Sequence, residues 1–311
     1  MKKLFCFGLV LFLFTTSAAA NEVFKVGTWK TAQTIQPFFY DQFLSQQVKV
    51  FSFTNPADQR TALLAESLDM CGTTIAHAIH AASQGQPVVV VAALCNKSSA
   101  LVVKKDGPIQ NISQLQGKRI GYVPGTMHEI LLRETLARVK LSPEKDVRLT
   151  RVDFFDMGLG LARGGIDAFL SGEPFPTLAV HEGYGRILEY PYYDDSVGTI
   201  NAGMLVTREK IEKSPDKILQ LVKAHARATL FLKENQDQWL DRAAAFGTDR
   251  IVLDKAAPNM ELAWEINDSF VQRAKELGAR MEALKVIESQ PDYDKLFDLR
   301  FVQQVKTELE R

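Results

Sequence analysis

The run Val88-Val89-Val90-Val91-Ala92-Ala93-Leu94 is the strongest fold signal in the chain. Seven apolar residues in a row are typical of a strand that is buried on both faces of a parallel sheet. Strand and helix patterns alternate upstream of this run. The predicted strands are Phe24 to Trp29, Val48 to Phe53 and Asp69 to Thr73, and the predicted helices are Pro37 to Phe43, Ala57 to Leu68 and Ile75 to Gln84. This alternation predicts an α/β fold with an open, mostly parallel sheet and helices on both faces.

A second alternation of strands and helices follows the valine run. Its predicted strands are Arg119 to Val123, Val147 to Val152 and Ile166 to Ser171, and its predicted helices are Met127 to Lys140 and Asp156 to Arg163. The last hundred residues are mainly helical, with segments at Asp216 to Asn235, Gln238 to Phe246 and Met260 to Leu277, the last one ended by Gly278. The pattern indicates a second α/β unit and a helical tail.

Two similar stretches indicate where the chain passes between these units. Residues 99–105 and 201–209 each follow small polar residues and lead through an apolar strand into a charged turn. We expect the outward crossing near Leu101 to Lys105 and the return near Met204 to Arg208. The first lobe would then hold residues 21–102 and 206–311, and the second lobe residues 103–205. Paired crossings allow two lobes to close like a hinge around a ligand.

The first twenty residues have the pattern of a cleaved secretory signal. Lys2 and Lys3 precede an apolar stretch, and Ala18-Ala19-Ala20 forms a small-residue cleavage site. We therefore expect a periplasmic protein whose mature chain begins at Asn21. Removal of the two lysines leaves 35 basic against 37 acidic residues, and this balance favours neither nucleic acid nor a membrane as a partner.

Two cysteines, Cys71 and Cys95, would remain after cleavage. An even pair in an exported protein is compatible with a disulfide, and both residues lie at the ends of predicted strands. Two buried free thiols are the alternative, because a sequence does not give the Cα separation that a disulfide requires.

Polar side chains gather at the carboxyl ends of the predicted strands, where ligands bind in parallel α/β sheets. The candidate ligand-binding residues are Trp29, Lys30, Thr73, Thr74, Asn96, Ser98, Ser99, Thr126, His128, Glu173 and Asn201, with Thr31 and Gly172 at the same strand ends. The chain has no Gly-x-Ser-x-Gly turn, no His-Glu-x-x-His pair and no phosphate-binding loop. The sequence therefore predicts a binding protein rather than an enzyme, with no cofactor and no metal.

The segment Pro124-Gly125-Thr126-Met127-His128 is the sharpest of these candidates. Gly125 allows a turn, Thr126 can cap the helix that begins at Met127, and the free N–H groups of the first helical turn would attract an anion. An ordinary capped helix with nothing bound is the alternative. Glu173 would instead suit an amine or pyrimidine donor, unless it serves only its own helix start. His77 and His80 share a helical face, but their surroundings do not have the spacing of a metal site.

These segments together resemble the NitT/TauT family of solute-binding proteins of ABC importers. The resemblance is carried by the following stretches: residues 59–69, residues 75–91 with Gln-Gly-Gln-Pro-Val, Ser99 to Val103, residues 112–121, Gly125 to Leu132, and residues 165–174. It implies a type II periplasmic-binding-protein fold with the ligand cleft between two lobes. It also implies a monomer that delivers a small anionic or heteroaromatic solute, such as nitrate, a sulfonate, taurine or a thiamine-precursor pyrimidine, to permease and ATPase subunits.

Two other functions are compatible with the same resemblance. A periplasmic sensor would use the same cleft to bind its ligand. A thiamine-pyrimidine synthase would use a cysteine-rich iron site, which Cys71 and Cys95 do not form.

Overall fold

The computed structural model describes residues 23–54, 56–192 and 197–310. The predicted signal sequence and the predicted cleavage before Asn21 lie outside these residues. None of the helices in the described part of the chain is long and apolar enough to cross a membrane.

The described strands and helices follow one another along the whole chain. The strands are β1 Phe24–Thr28, β2 Val48–Ser52, β3 Met70–Thr74, β4 Val88–Lys97, β5 Ser99–Lys104, β6 Arg119–Tyr122, β7 Arg148–Arg151, β8 Ala168–Gly172, β9 Gly185–Glu189, β10 Ile200–Thr207 and β11 Met260–Leu262. The helices are α1 Pro56–Leu64, α2 Ile75–Ser83, α3 Met127–Arg138, α4 Met157–Ala162, α5 Phe175–His181, α6 Arg208–Lys213, α7 Pro215–Glu234, α8 Gln236–Ala244, α9 Arg250–Ala256, α10 Asp268–Ala283, α11 Tyr293–Leu296 and α12 Arg300–Leu309. Short 3₁₀ helices span Ala32–Thr34, Gln36–Gln42, Ile112–Leu115, Phe154–Asp156 and Ala257–Asn259.

The strands form two sheets, and each sheet is the centre of one lobe. The first lobe has the strand order β11-β4-β10-β3-β1-β2, and the second has the order β7-β6-β8-β5-β9. In the first sheet, β10 and β11 run against the other strands, and in the second sheet only β5 is reversed. The predicted α/β fold with two mostly parallel sheets is therefore confirmed.

The valine run forms the predicted buried strand, but its neighbours differ from the prediction. Residues 88–94 of β4 are at most 2% exposed. Both neighbours of β4, namely β10 and β11, are antiparallel to it. The expectation of parallel neighbours is wrong, because β10 returns from the second lobe and inserts between β3 and β4. A long apolar run indicates that a strand is buried on both faces, but it does not indicate the direction of the neighbouring strands.

The same insertion excludes the disulfide. Cys71 and Cys95 are buried free thiols, and they lie on strands that are separated by β10. Two strand spacings of about 4.8 Å place the Cα atoms at least about 9.6 Å apart. A disulfide requires roughly 4.4–6.8 Å between Cα atoms. The predicted bridge is therefore wrong, and the alternative of two buried thiols holds.

The chain passes between the sheets earlier than the sequence indicates. The outward crossing falls at Ser98, between β4 and β5, where Lys97 and Ser98 have left-handed backbone with φ values of 58° and 78°. The return crossing lies between β9, which ends at Glu189, and β10, which begins at Ile200. The predicted lobe limits at residues 102/103 and 205/206 fall inside β5 and β10 and are corrected. The apolar pattern identifies the strands on either side of a crossing, whereas the crossing itself is a short polar turn.

The start of the predicted helix at Met260 to Leu277 is also wrong. Residues 260–262 form β11 on the edge of the first sheet, and α10 begins later, where the Asn267 side chain accepts a hydrogen bond of 2.9 Å from the Phe270 N–H. Gly278 does not end this helix. A β-carbon at Gly278 would collide with the Tyr293 hydroxyl, so glycine allows close packing there.

Helices α7 and α8 hold the segment that follows β1 in place. The Trp239 indole N–H donates to the Ala32 carbonyl over 2.7 Å, and the Gln36 amide donates to the Leu94 carbonyl over 2.8 Å. His225 contacts the Tyr40 hydroxyl at 2.8 Å and the Ala93 carbonyl at 2.7 Å. Buried polar bonds of this kind fix the position of a segment that has no regular pairing of its own.

Candidate ligand-binding cleft

A pocket lies where the carboxyl ends of the parallel strands of the two sheets face each other. It contains about 470 Å³ of space free of protein atoms, part of it open to solvent. The first lobe contributes Trp29, Thr31, Gln33, Thr34, Thr74, Cys95, Asn201 and Ala202, and the second lobe contributes His128, Phe154, Phe155, Gly172 and Phe175.

The structure brings four of the predicted site residues into this lining, namely Trp29, Thr74, His128 and Asn201. The other predicted residues lie around the lining rather than in it: Lys30, Thr73, Asn96, Ser98, Ser99, Thr126 and Glu173. Their role as direct ligand contacts stays a prediction, and several of them have other partners within the protein.

The wall of the first lobe is a short loop that its own threonines hold together. The Thr28 hydroxyl donates to the Thr34 carbonyl over 2.8 Å. The Thr34 hydroxyl donates to the Trp29 carbonyl over 3.0 Å and lies 2.9 Å from the Thr31 hydroxyl. These bonds, together with the bond from Trp239 to Ala32, hold the loop so that Gln33 lies in the pocket lining. Gln33 and Thr34 were not among the predicted site residues, because a 3₁₀ turn has no apolar periodicity that would identify it in the sequence.

Two buried polar atoms in this wall have no partner among the described residues. They are the Trp29 Nε1 and the Gln33 Oε1. A buried polar group that makes no hydrogen bond costs about 1–3 kcal/mol, so native proteins rarely leave one unpaired without a reason. A bound solute can supply the missing partners.

The wall of the second lobe is aromatic. The His128 ring meets the Phe154 ring edge to face, with 5.4 Å between centroids, and Phe155 meets Phe175 in the same way at 5.0 Å. The His128 Nδ1 lies 3.0 Å from the Ser99 hydroxyl. Burial lowers the pKa of the His128 imidazole to about 4, so this ring is uncharged at neutral pH. The phenylalanines were not predicted, although they follow β7 and β8, because the candidates at the strand ends were chosen mainly for their polar side chains.

The lining combines aromatic surface with neutral polar groups. Among the residues that the structure describes, the lining contains no Lys, Arg, Asp or Glu. The pocket therefore offers stacking area and hydrogen bonds but no countercharge for an ionic ligand.

The start of α3 is occupied by a carboxylate of the chain itself. The Gly125 N–H donates to the Glu129 Oε2 over 2.6 Å, and Glu129 also pairs with Arg133 at 2.9 Å. The Thr126 hydroxyl donates to the Val123 carbonyl over 2.8 Å and does not cap the helix. The predicted capping by Thr126 is therefore wrong. A negative charge already satisfies this helix start, which disfavours a bound anion there.

Glu173 lies at the junction of the lobes and not in the lining. Its carboxylate accepts hydrogen bonds from the Thr177 N–H and from the Asn259 amide, each 3.2 Å long. Its own N–H donates to the Ser98 carbonyl over 2.7 Å. Burial raises the pKa of the Glu173 carboxyl above its usual range. Glu173, which follows β8, therefore contacts the outward crossing at Ser98.

Further contacts reinforce the same junction. The Tyr192 hydroxyl accepts a hydrogen bond of 2.7 Å from the Ser99 N–H and lies 3.1 Å from the Asn259 side-chain oxygen. The Ser98 N–H donates to the Asn259 carbonyl over 2.7 Å. Ser98 and Ser99 are thus held by Tyr192 of the return crossing and by Asn259 of the 3₁₀ helix before β11, and the Asn201 side chain donates to the Lys97 carbonyl.

The remaining predicted residues have separate surroundings. Lys30 is exposed beside Trp29, Thr73 is buried within β3, and the Asn96 amide donates to Glu261 over 3.0 Å. Thr74 caps α2, as predicted, by accepting a hydrogen bond of 3.3 Å from the His77 N–H. Within residues 23–54, 56–192 and 197–310, no three His, Cys, Asp or Glu side chains lie together as a metal site would require.

Comparison with known structures assigns the class of this fold. The chain has the fold of the periplasmic binding proteins, as in the periplasmic nitrate-binding protein of Synechocystis PCC 6803. That structure superposes with a TM-score of 0.80 at 15% identity and covers 93% of this chain and 89% of its own. The family follows from the sequence: residues 38–239 match the model of the NMT1/THI5 like family, and the chain belongs to that family. This confirms the resemblance to the NitT/TauT proteins.

Individual relatives have different activities. The "Putative aliphatic sulfonates-binding protein" of Bacillus subtilis (strain 168) is 24% identical over 278 residues, which cover 87% of this chain and 82% of that protein. The 4-amino-5-hydroxymethyl-2-methylpyrimidine phosphate synthase of Schizosaccharomyces pombe is 25% identical over 230 residues, which cover 68% of this chain and 66% of that enzyme. Relatives of this chain thus include both a binding protein and an enzyme.

Proposed function

We propose that this protein is the solute-binding component of an ABC importer. The observation that carries the proposal is a pocket at the carboxyl ends of two sheets, with walls from both lobes and two crossings beside it. A ligand that contacts both walls favours the closed arrangement, by no more than its preference for that arrangement. The permease and ATPase subunits of the importer would then receive the closed, loaded form, and the protein would act as a monomer in the periplasm.

Between the anionic and heteroaromatic solutes that the sequence left open, we propose the heteroaromatic class. The lining has aromatic rings and neutral polar groups, and no basic side chain that would neutralise an anion. The helix start that could have served an anion is taken by Glu129. A flat, uncharged ring with hydrogen-bonding atoms on its edge matches both walls.

We also propose that the site binds its solute without transforming it. The titratable groups in the lining are the His128 imidazole and the Cys95 thiol. Burial lowers the imidazole pKa to about 4 and raises the Cys95 pKa to about 12, so neither group is poised to exchange protons at neutral pH. The lining thus contains no pair of groups suited to general acid–base chemistry.

A thermal-shift screen tests the proposal. The chain from residue 21 onward would be unfolded and refolded to remove any carried ligand, then screened against nitrate, taurine, alkanesulfonates, arylsulfonates, aminopyrimidines and riboflavin. A ligand present at 100 times its Kd should add about 2.7 kcal/mol to the free energy of unfolding. Small-angle scattering should show a more compact protein with that ligand.

Three results would contradict parts of the proposal. A shift with sulfonates or nitrate alone would reject the heteroaromatic class. Conversion of a bound solute, detected by mass spectrometry, would reject a binding role. A mature chain that does not begin at Asn21 in the periplasmic fraction would reject the export route.

A further inference from the structure

His77 lies in the first lobe, on the helix α2 that packs against α3 of the second lobe. Its backbone N–H donates to the hydroxyl of the pocket residue Thr74, so the histidine moves with the first wall. Across the cleft the ring faces Gly125, which lies three residues before His128 of the second wall. A β-carbon at Gly125 would lie 3.5 Å from the His77 Nδ1. Because this contact joins the two walls, separation of the walls breaks it.

The His77 ring is buried at this contact without a hydrogen-bond partner. The side chain is only 6% exposed, and neither Nδ1 nor Nε2 has a partner among the described residues. A neutral imidazole can be buried in this way and loses only its unused hydrogen-bonding capacity. A charged imidazolium loses far more when it leaves water. The closed arrangement of the lobes therefore accepts the neutral ring and disfavours the protonated one.

The charged groups around His77 do not compensate for a proton on the ring. Arg60 of α1 and His80, one turn further along α2, are both basic. The acidic group that acts on this cluster is Glu129 of α3, which acts on His80 and is itself paired with Arg133 at 2.9 Å. Burial, followed by the positive charges of Arg60 and His80, lowers the pKa of His77 to about 3 in the closed arrangement.

The other elements that pack against α2 bring no compensating charge to this position. Strands β3 and β10 contain no charged residue, and the only charged residue of β4, Lys97, pairs with Glu261 at 3.7 Å. The buried residues of α10 are all apolar or glycine, and those of α11 are Tyr293 and Leu296. Among the described residues, the charges that act on the His77 ring are those of Arg60 and His80.

From this geometry we infer that His77 is a proton switch between the lobes: its neutral ring permits closure, and a proton taken up from solvent drives the lobes apart. When the contact with Gly125 breaks, the ring regains water and its pKa returns toward the usual value of about 6.5. The open form then binds a proton that the closed form excludes. The closed form therefore has its full advantage above about pH 6.5 and loses it as the pH falls toward 3.

Contacts away from the pocket also hold the lobes together, so the switch can be measured without a solute. The Arg280 guanidinium of α10 contacts both carboxylate oxygens of Glu134 on α3, at 2.7 and 2.9 Å. Beside this pair, Ile130 and Leu131 of α3 and Leu277 of α10 line one small cavity, and all three are buried. We expect these contacts to keep the ligand-free protein mostly closed at pH 7.5.

Distances between the lobes of the refolded, ligand-free protein test the switch. Spin labels on Lys49→Cys and Thr150→Cys would report the open and closed populations by pulsed electron resonance, because both positions are exposed on edge strands, β2 of the first sheet and β7 of the second. The native Cys71 and Cys95 are buried and should stay unlabelled. The ratio of open to closed molecules should rise about 10-fold between pH 7.5 and pH 5.5.

Three variants assign this response to His77. In His77→Gln, which keeps a neutral polar side chain, the ratio should change by less than about 3-fold over the same pH range. In His77→Lys, whose charge persists, the open form should be enriched at both pH values. His181→Gln is the matched control and should respond like the wild type, because it removes an exposed histidine at the end of α5. Circular dichroism and thermal unfolding at each pH would show that the variants are folded.

Two results would overturn the switch. One is a ratio of open to closed molecules that stays constant between pH 7.5 and pH 5.5 in the wild type. The other is a His77→Gln variant that opens in acid as the wild type does, which would assign the response to another group such as His128. Failure of every solute in the thermal-shift screen would contradict the proposed function alone, because the lobe distances are measured without a solute.

Discussion

The two walls of the cleft are built by different physical means. The first-lobe wall is a loop that three threonine hydroxyls and the Trp239 indole hold in place, and it supplies polar atoms. The second-lobe wall consists of aromatic rings that pack edge to face, and Phe155 within it is 43% exposed. Hydrogen bonds fix orientation, and aromatic surface supplies area. The difference teaches that most hydrogen-bonding groups and most aromatic contact area lie on opposite sides of this cleft.

A fall in pH should destabilise both walls, and this loss of stability is the largest effect that we expect. His225 supports the first wall and His128 belongs to the second, and burial lowers the pKa of each to about 4 from a usual value of about 6.5. The unfolded chain therefore binds more protons between these values. The contribution of each neutral histidine to the free energy of unfolding is fully present above about pH 6.5. It is lost as the pH falls toward 4, by up to about 1.4 kcal/mol per pH unit for each histidine.

Chemical denaturation at several pH values checks this expectation. The slope of the free energy of unfolding against pH should be smaller in His225→Gln than in the wild type between pH 6.5 and 4. Equal slopes would show that His225 is not kept neutral by the fold. Solute affinity should be flat from pH 7 to pH 8, where both histidines are uncharged.

Removal of one hydroxyl should loosen the first wall alone. Thr34→Val leaves the buried Trp29 carbonyl without its donor, which should lower the free energy of unfolding by about 2 kcal/mol. Because Gln33 lies in the same loop, solute affinity should fall by about 10-fold or more. Thr61→Val is the matched control, because its hydroxyl also donates to a carbonyl but on the exposed side of α1. Equal losses in the two variants would contradict the role assigned to the loop.

Truncation of an exposed ring should weaken the second wall without affecting stability. Phe155→Ala should lower solute affinity by about 1 kcal/mol, the usual size of an aromatic contact, and should change unfolding by less than about 0.5 kcal/mol. Leu159→Ala removes a similarly exposed apolar side chain, 49% accessible, that is outside the pocket lining. Calorimetry should show a loss in the first variant and none in the second, and a loss in both would remove the distinction.

Glu173→Gln should have the smallest effect on binding, because Glu173 joins the lobes and touches neither wall. The glutamine keeps an acceptor for the Thr177 N–H or the Asn259 amide but not for both. We expect solute affinity to stay within about 3-fold and stability to fall by about 1 kcal/mol. A sharp loss of affinity at unchanged stability would place Glu173 in contact with the solute after all.

The part of the site that could be predicted is the part that follows strand ends. Trp29 comes directly after β1, Thr74 ends β3, and Asn201 lies at the start of the antiparallel β10, at the same edge of the sheet. His128 begins the helix after β6. The rule that ligands collect at carboxyl ends needs only the order of strands and helices, which local periodicity gives. Gln33 and Phe155 were not predicted by this rule, because they lie in short 3₁₀ segments that place them in the pocket.

The helix starts show a second limit of local patterns. Thr74 and Thr126 both precede a helix; Thr74 is the last residue of β3, and Thr126 follows β6 by a short turn. Thr74 caps its helix, whereas the Thr126 hydroxyl donates to the Val123 carbonyl and the Glu129 carboxylate accepts from the Gly125 N–H. Residue type identifies a possible capping residue, whereas the hydrogen-bond partner of its hydroxyl depends on the local geometry.

By itself, the sequence determined the two α/β units, the buried valine strand, the family and the edge of each sheet where the site lies. These features are encoded in periods of two and 3.6 residues, which short segments carry on their own. Only the tertiary structure decided that β10 lies between β3 and β4, that Cys71 and Cys95 stay apart, and that Gln33 and His128 both lie close to Gly172. Each of these contacts joins segments far apart in the chain. Their geometry follows from how the two sheets pack and cross, and no local pattern specifies that.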